Sequence, residues 1–226
     1  MIKKITLGRA LLEDNQRIAQ RNRLFLERKQ ILTIHIVASP GSGKTTLLLR
    51  TIETLQQHRI AIAAVEADPG QKKDAEQLQR LCIPVYSVGT SLCHLEAKDI
   101  EQAMAGLSLE LSSILFIENV GNLVCPAEYD LGQTRTVLLL SATEGEDKPL
   151  KYPPLVRKAD FCLLTKMDVA KVCNFQWEKA QESLKKINPL IEVLPIAAKT
   201  GQGFDDWISW LLQERDKVTS CVLAHP

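Results

Sequence analysis

Residues 32–50, LTIHIVASPGSGKTTLLLR, limit what this chain can fold into more than any other stretch. An apolar run, 32–38, leads straight into Ser39-Pro40-Gly41-Ser42-Gly43-Lys44-Thr45-Thr46, and Leu47, Leu48 and Leu49 then open a helix-type segment. Strand, glycine loop and helix in that order make a phosphate loop. Backbone N–H groups around Gly41, Ser42 and Gly43 turn inward on an anion, and the N-terminus of the next helix adds its partial positive charge. Lys44 is placed to reach the outer phosphates and Thr45 to hold Mg²⁺ through its hydroxyl, as the pattern G-x-x-x-x-G-K-[ST] requires. Ala38 stands where that pattern has its first glycine. Alanine is compatible there if it keeps strand dihedrals, because the later glycines make the tight wrap. The competing reading of the same residues is a plain Gly/Ser turn.

Several short β-type runs come after it, each ending in polar residues, which is the pattern of an open α/β sheet with ligands at the carboxyl rim of its strands. The run 59–65 ends at Glu66-Ala67-Asp68, and Pro69-Gly70-Gln71 then breaks the chain before Asp74. Asp68 is a rim carboxylate that can orient water or reach Mg²⁺, and Asp74 is either a second Mg²⁺-side group or a helix N-cap. The run 113–117 ends at Glu118, as the Mg²⁺-side strand of a phosphate-loop protein does, and Gly121 lies where a glycine N–H can meet the γ-phosphate. The run 161–164 precedes Thr165-Lys166-Met167-Asp168, similar to the guanine-reading [NT]KxD motif. A carboxylate at 168 accepts N1–H and N2–H of guanine, and Lys166 can lay its stem over the base. After a last strand, 191–196, Ala197-Ala198-Lys199 resembles the loop that meets guanine O6, and 205–212 closes the fold as a helix. The expectation is an α/β, three-layer P-loop NTPase with a mostly parallel central sheet flanked by helices.

Cys93 and His94 are adjacent, and thiolate with imidazole suits Zn²⁺ or Ni²⁺. Two ligands alone fit a chance pairing equally well. Cys125, seven residues beyond Glu118 on the same rim, makes three, and a second subunit can complete a tetrahedral set. Residues 6–30 place Leu7, Leu11, Ile18 and Phe25 at helical steps among polar residues, giving an amphipathic helix outside the nucleotide core that either packs on its own domain or docks a partner. Residues 144–154, charged and proline-rich, read as a solvated surface loop.

The 226 residues favour one main domain. With 28 Lys and Arg against 27 Asp and Glu, the net charge of +1 leaves no overall field to draw in nucleic acid or an acidic membrane. No stretch approaches the roughly 20 apolar residues of a membrane span, and 1–30 is too polar for a signal peptide, so a cytoplasmic location is expected. Six cysteines without a framework spacing read as thiols or metal ligands.

The strings CHLEA (93–97), IENVGNLVCP (117–126), DLGQ (130–133) and EGEDKPLKYP (144–153), together with LLEDNQRIAQRNRLFL in the N-terminal helix, resemble the HypB family of hydrogenase nickel-incorporation GTPases. The resemblance spans nearly the whole chain. It implies a SIMIBI-class P-loop GTPase that dimerises with GTP bound and holds nickel or zinc at the dimer interface. Carried over by motif, Cys93, His94 and Cys125 match the metal ligands, Gly41 to Thr46 the phosphate loop, Asp168 the base reader and Glu118 the magnesium-side acid. Residues 1–30 match the part that docks a small zinc-containing nickel chaperone, residues 31–226 the GTPase domain, and the hydrogenase large-subunit precursor is the implied recipient. The CxxC-type cluster and histidine-rich tract of some members have no counterpart in these residues. Other readings are a urease nickel chaperone, which the DKPLKYP segment disfavours, an ATP-using P-loop kinase or ligase, and a metal-storage protein without nucleotide dependence.

Overall fold

The computed structural model describes residues 2–67 and 77–221, with side chains from Ala10 to Ala67 and from Gln77 to Ser220. Asp68 and Asp74 lie outside the described residues. In chain order the main elements are α1 (Ile2–Arg28), β1 (Leu32–Ala38), α2 (Lys44–Gln57), β2 (Ile62–Glu66), β3 (Val85–Ser87), α3 (Ala97–Gly106), β4 (Ile114–Glu118), β5 (Arg135–Ser141), α4 (Lys148–Lys151), α5 (Pro153–Lys158), β6 (Phe161–Thr165), α6 (Trp177–Ile187), β7 (Glu192–Pro195) and α7 (Phe204–Cys221).

The strands form a seven-stranded sheet among the described residues, in the order β3-β2-β4-β1-β5-β6-β7. Every pairing between them is parallel, one step beyond the mostly parallel sheet that the sequence implies. β1, β2 and β4 are buried along their whole length, which is why they read as unbroken apolar runs rather than alternating ones. Register aligns the carboxyl ends: Glu118 sits beside Glu66 on one side and Ile36 on the other, and Ser141 sits beside Thr165. The polar residues that close each strand therefore share one rim.

On one face of the sheet, Ile34, Ile36, Phe116 and Leu139 pack under Leu48 and Ile52 of α2 and Trp207 and Leu211 of α7. The Trp207 indole N–H donates to Thr51 Oγ1 at 2.9 Å, so the aromatic core is tied to the helix that carries the phosphate loop. The opposite face divides into two clusters, one around Leu138, Leu155 and Leu184, the other around Leu26, Leu115 and Ile117.

Two expectations change. The N-terminal helix does pack on the domain, but through Asn15, Ala19, Asn22 and Leu26, not through the apolar stripe of Leu11, Ile18 and Phe25. Asn22 Nδ2 donates to the carbonyls of Ala97 and Leu131, and Asn15 binds Ala97 N and the Asp130 carbonyl, so amide hydrogen bonds replace the apolar contact that periodicity anticipates. Leu11, Leu24 and Phe25 remain exposed. The segment 144–154 is not a solvated loop. Prolines at the first turns of α4 and α5 start helices there, where the missing N–H is harmless, and Pro149, Leu155 and Val156 are buried.

Candidate nucleotide and metal site

The phosphate loop has the backbone its sequence demands. Gly41 and Gly43 adopt left-handed φ values of 73° and 97°, and Gly43 caps α2. Ala38 is the buried last residue of β1, in register with Leu139, so alanine meets no conformational obstacle there. The Ser42 hydroxyl donates to the Ser39 carbonyl at 2.9 Å and closes the turn. Lys44 and Thr45 are the first residues of α2, and Thr45 Oγ1 donates to Glu118 Oε1 at 3.0 Å across the rim. A hydroxyl and a carboxylate in contact, both oxygen donors, are the donor chemistry Mg²⁺ prefers, so the pair fits the ion. Gly121 lies against the loop from the other side: a Cβ there would stand 3.1 Å from Pro40.

A cavity of about 210 Å³ adjoins the loop, and Ser42, Gly43, Thr46, Lys166, Asp168, Ala198 and Lys199 are among the residues that line it. The two segments that the sequence expects to read the base, 30 residues apart, thus meet the phosphate loop at one opening. Lys166 is itself left-handed, with φ 58°, and its Nζ donates to the Gly41 carbonyl at 2.6 Å, so its stem crosses the cavity mouth. The Thr165 hydroxyl donates to the Ser42 carbonyl at 2.8 Å, which ties β6 to the phosphate loop.

The metal-ligand candidates also converge. Donor atoms of Cys93, His94 and Cys125 lie within 4.8 Å of one another. The two sulfurs are 2.8 Å apart, and His94 Nδ1 is 3.6 Å from Cys93 Sγ. Tyr129 packs against the His94 ring, with centroids 3.9 Å apart and the planes tilted by 30°. Burial lowers the His94 pKa, against the pull of Glu96, Asp99 and Glu128, which favours the neutral imidazole that a metal requires. The hydrogen bond with Cys125 raises the Cys93 pKa, so the pair shares protons that a metal ion would displace.

Residues absent from the sequence reading hold these parts together. The Arg50 guanidinium donates to the Ala198 carbonyl and lies 4.6 Å over the Phe204 ring, bracing the 197–199 segment from α2. Lys148 reaches Ser39 Oγ and Glu144 Oε1, each at 3.4 Å, from α4. Asn119 and Asn122 bridge the loop after β4 to the Cys93–Leu95 segment. Their signal was available, since asparagines inside a glycine-containing rim loop commonly bond nearby backbone, but which backbone they reach depends on the sheet order.

Fold and site together define a phosphate-loop nucleoside-triphosphate-binding protein. The CobW/HypB/UreG nucleotide-binding domain family matches residues 32–195. The hydrogenase maturation factor HypB of Escherichia coli strain K12 is 45% identical over 207 residues, covering 91% of this chain and 71% of the relative. The crystal structure of HypB from Helicobacter pylori in complex with nickel has a TM-score of 0.85 at 33% identity over 90% of this chain and 96% of that one. HypB from Archaeoglobus fulgidus has a TM-score of 0.83 at 34% identity over 90% and 99%. The chain belongs to the HypB family of hydrogenase maturation factors.

Proposed function

We propose that this chain is a GTP-hydrolysing nickel metallochaperone for [NiFe]-hydrogenase maturation, dimerising with GTP bound and holding its metal at the dimer interface. The observation that carries the reading is the continuity of one loop: it begins at Glu118 beside Thr45 and ends at Cys125 beside Cys93, so the nucleotide end and the metal end are eight residues of a single segment. The nickel-bound relative supports nickel as the cargo.

Phosphoryl transfer to water asks the protein for positioning and charge stabilisation rather than covalent chemistry. Lys44 offsets charge on the outer phosphates, N–H groups from Gly41 to Thr46 cradle them, and Asp68, one residue past the buried Ala67, orients the attacking water. Mg²⁺, held by Thr45 and Glu118 with Asp68 or Asp74 joining directly or through water, would supply further charge neutralisation. Asp168 accepts the two N–H donors of guanine that adenine lacks, while Lys166 covers the base and the Ala198 and Lys199 backbone faces O6. With only three protein ligands, Cys93, His94 and Cys125 leave a tetrahedral ion open to a donor from a second copy. The exposed apolar side chains of Leu11, Leu24 and Phe25 support residues 1–30 as the docking helix for a small zinc-containing nickel chaperone, with the hydrogenase large-subunit precursor as recipient. Among the described residues no helix is long and apolar enough to cross a membrane, in keeping with work in the cytoplasm.

Sizing the protein with a non-hydrolysable GTP analogue, an ATP analogue or GDP, each with and without Ni²⁺, tests the reading. Dimer formation with the GTP analogue alone is expected. Equal dimerisation with the ATP analogue would favour an adenine-using enzyme, and a monomer throughout would favour simple metal storage.

A further inference from the structure

We infer that Asn119 and Asn122 are positioning residues through which nucleotide state sets the geometry of the metal triad. The inference rests on the proposed function, in that both a nucleotide and nickel must bind.

Asn119 is 1% exposed, and both ends of its amide are hydrogen-bonded. Its Oδ1 accepts the N–H of Val120 at 2.8 Å and of Leu95 at 3.1 Å, which forces Nδ2 toward His35 Nε2 at 2.8 Å. His35 lies in β1 three residues ahead of Ala38, and the Asn119 N–H donates to the Ile36 carbonyl. The base of the loop is therefore pinned to the central strand that feeds the phosphate loop. Asn122 grips the other side: its Nδ2 donates to the Cys93 carbonyl at 3.1 Å, and its Oδ1 accepts the Val124 N–H at 2.9 Å.

The two amides hold the Cys93–Leu95 segment at points that flank His94, Cys93 O and Leu95 N. Between them lies Gly121, against Pro40 of the phosphate loop. A shift of the phosphate loop presses on Gly121 and moves the 120–124 segment. Cys125 moves with it through the chain; the Cys93 thiol meets Cys125 directly, but the backbone that carries Cys93 and His94 is tied to the loop by these amide bonds. With both bonds intact the three ligands move together. With either removed, the backbone under Cys93 and His94 lags behind Cys125, the thiol contact alone links the two loops, and the metal no longer senses the nucleotide as a unit.

The readout is a ratio: the Ni²⁺ dissociation constant with GDP divided by that with a GTP analogue, from titration of the thiolate charge-transfer absorbance. Wild type should give a ratio at least about fivefold away from one, within the usual range of coupling between sites. Asn119→Ala should bring it close to one and Asn122→Ala should lower it several-fold. Asn119→Asp, which keeps an acceptor for both N–H groups, should retain most of it. A purely structural role would weaken nickel binding equally in both nucleotide states and leave the ratio intact. That result in folded variants, with a coupled wild type, overturns the inference while the proposed function stands. A wild type with a ratio of one overturns both. If melting curves show Asn119→Ala unfolded, the half-buried Asn122 decides alone.

Discussion

Cys93 Sγ and Cys125 Sγ, 32 residues apart in the chain, stand 2.8 Å from each other at the ends of two loops on the same rim. Sulfurs this close are preorganised to share one ion, since bringing them together needs no backbone movement beyond opening the pair. Cys93→Ser or Cys125→Ser should lower Ni²⁺ affinity at this site by about a hundredfold or more, exceeding the 10- to 100-fold typical of outer-shell changes. Chelator competition and then metal analysis measure the effect. Retention of wild-type affinity in both variants would place the metal elsewhere.

Lys44 opens α2 directly after the left-handed Gly43. Its ammonium is the one side-chain cation in the 39–46 loop, and hydrogen bonds to charged groups contribute roughly 1.5–3 kcal/mol each. Lys44→Ala should therefore weaken GTP binding by about a hundredfold or more while leaving metal stoichiometry in the monomer unchanged. Fluorescent-nucleotide titration checks the first effect and metal analysis the second. Wild-type GTP affinity in the variant would refute the phosphate-loop role.

Much of the architecture was legible because fully buried parallel strands announce themselves as apolar runs, and the glycine loop commits the chain to a helix directly after β1. Among the described residues, Thr45 meets Glu118 and Cys93, His94 and Cys125 converge on the rim, while Asp68 and Asp74 lie outside them. What escaped was polar contact between segments distant in the chain. The buried face of α1 uses Asn15 and Asn22, so a search for apolar periodicity selects Leu11 and Phe25, which face outward. Residues 148–158 carry loop composition yet form two short helices, since proline is harmless at a first turn and Leu155 and Val156 find a core to enter. Asn119 and Asn122 acquire partners only once β4 lies beside β1 and β2. Pairwise order in a sheet is not encoded in any single run.

Asp168 lines the cavity beside the phosphate loop together with Ser42 and Gly43. A carboxylate offers two acceptors, matching the N1–H and N2–H₂ of guanine. An amide offers one acceptor and one donor, matching N1–H and the 2-oxo group of xanthine. Asp168→Asn should lower GTP affinity by one to several orders of magnitude, since a site built for two hydrogen bonds rejects a mismatched partner strongly, and should raise XTP affinity in parallel. Competition of GTP, XTP and ATP for one fluorescent nucleotide reads both changes. A loss of GTP binding without any gain for XTP would remove Asp168 from base recognition.

His35 gives the clearest link between acid stability and the interior. It is fully buried in β1, and burial lowers its pKa from the ordinary 6.5 to about 4, with Asp130 pulling in the other direction. Asn119 Nδ2 donates to Nε2, so the fold selects the neutral ring. Above pH 6.5 the ring is neutral in both folded and unfolded chains and adds no pH dependence. Between 6.5 and about 4 the unfolded chain takes up a proton that the native state refuses, so stability falls, and below 4 the loss levels off. The full difference corresponds to ~3 kcal/mol at about 1.4 kcal/mol per pH unit. His35→Gln keeps an acceptor for Asn119 and cannot titrate. Urea unfolding of both proteins between pH 7.5 and 4.5 should give a wild-type curve that steepens below pH 6.5 relative to the variant, with the gap growing toward pH 4.5. Carboxylates protonate in both proteins alike and cancel in the difference, so parallel curves would mean that His35 takes up its proton in the native state as readily as in the unfolded chain.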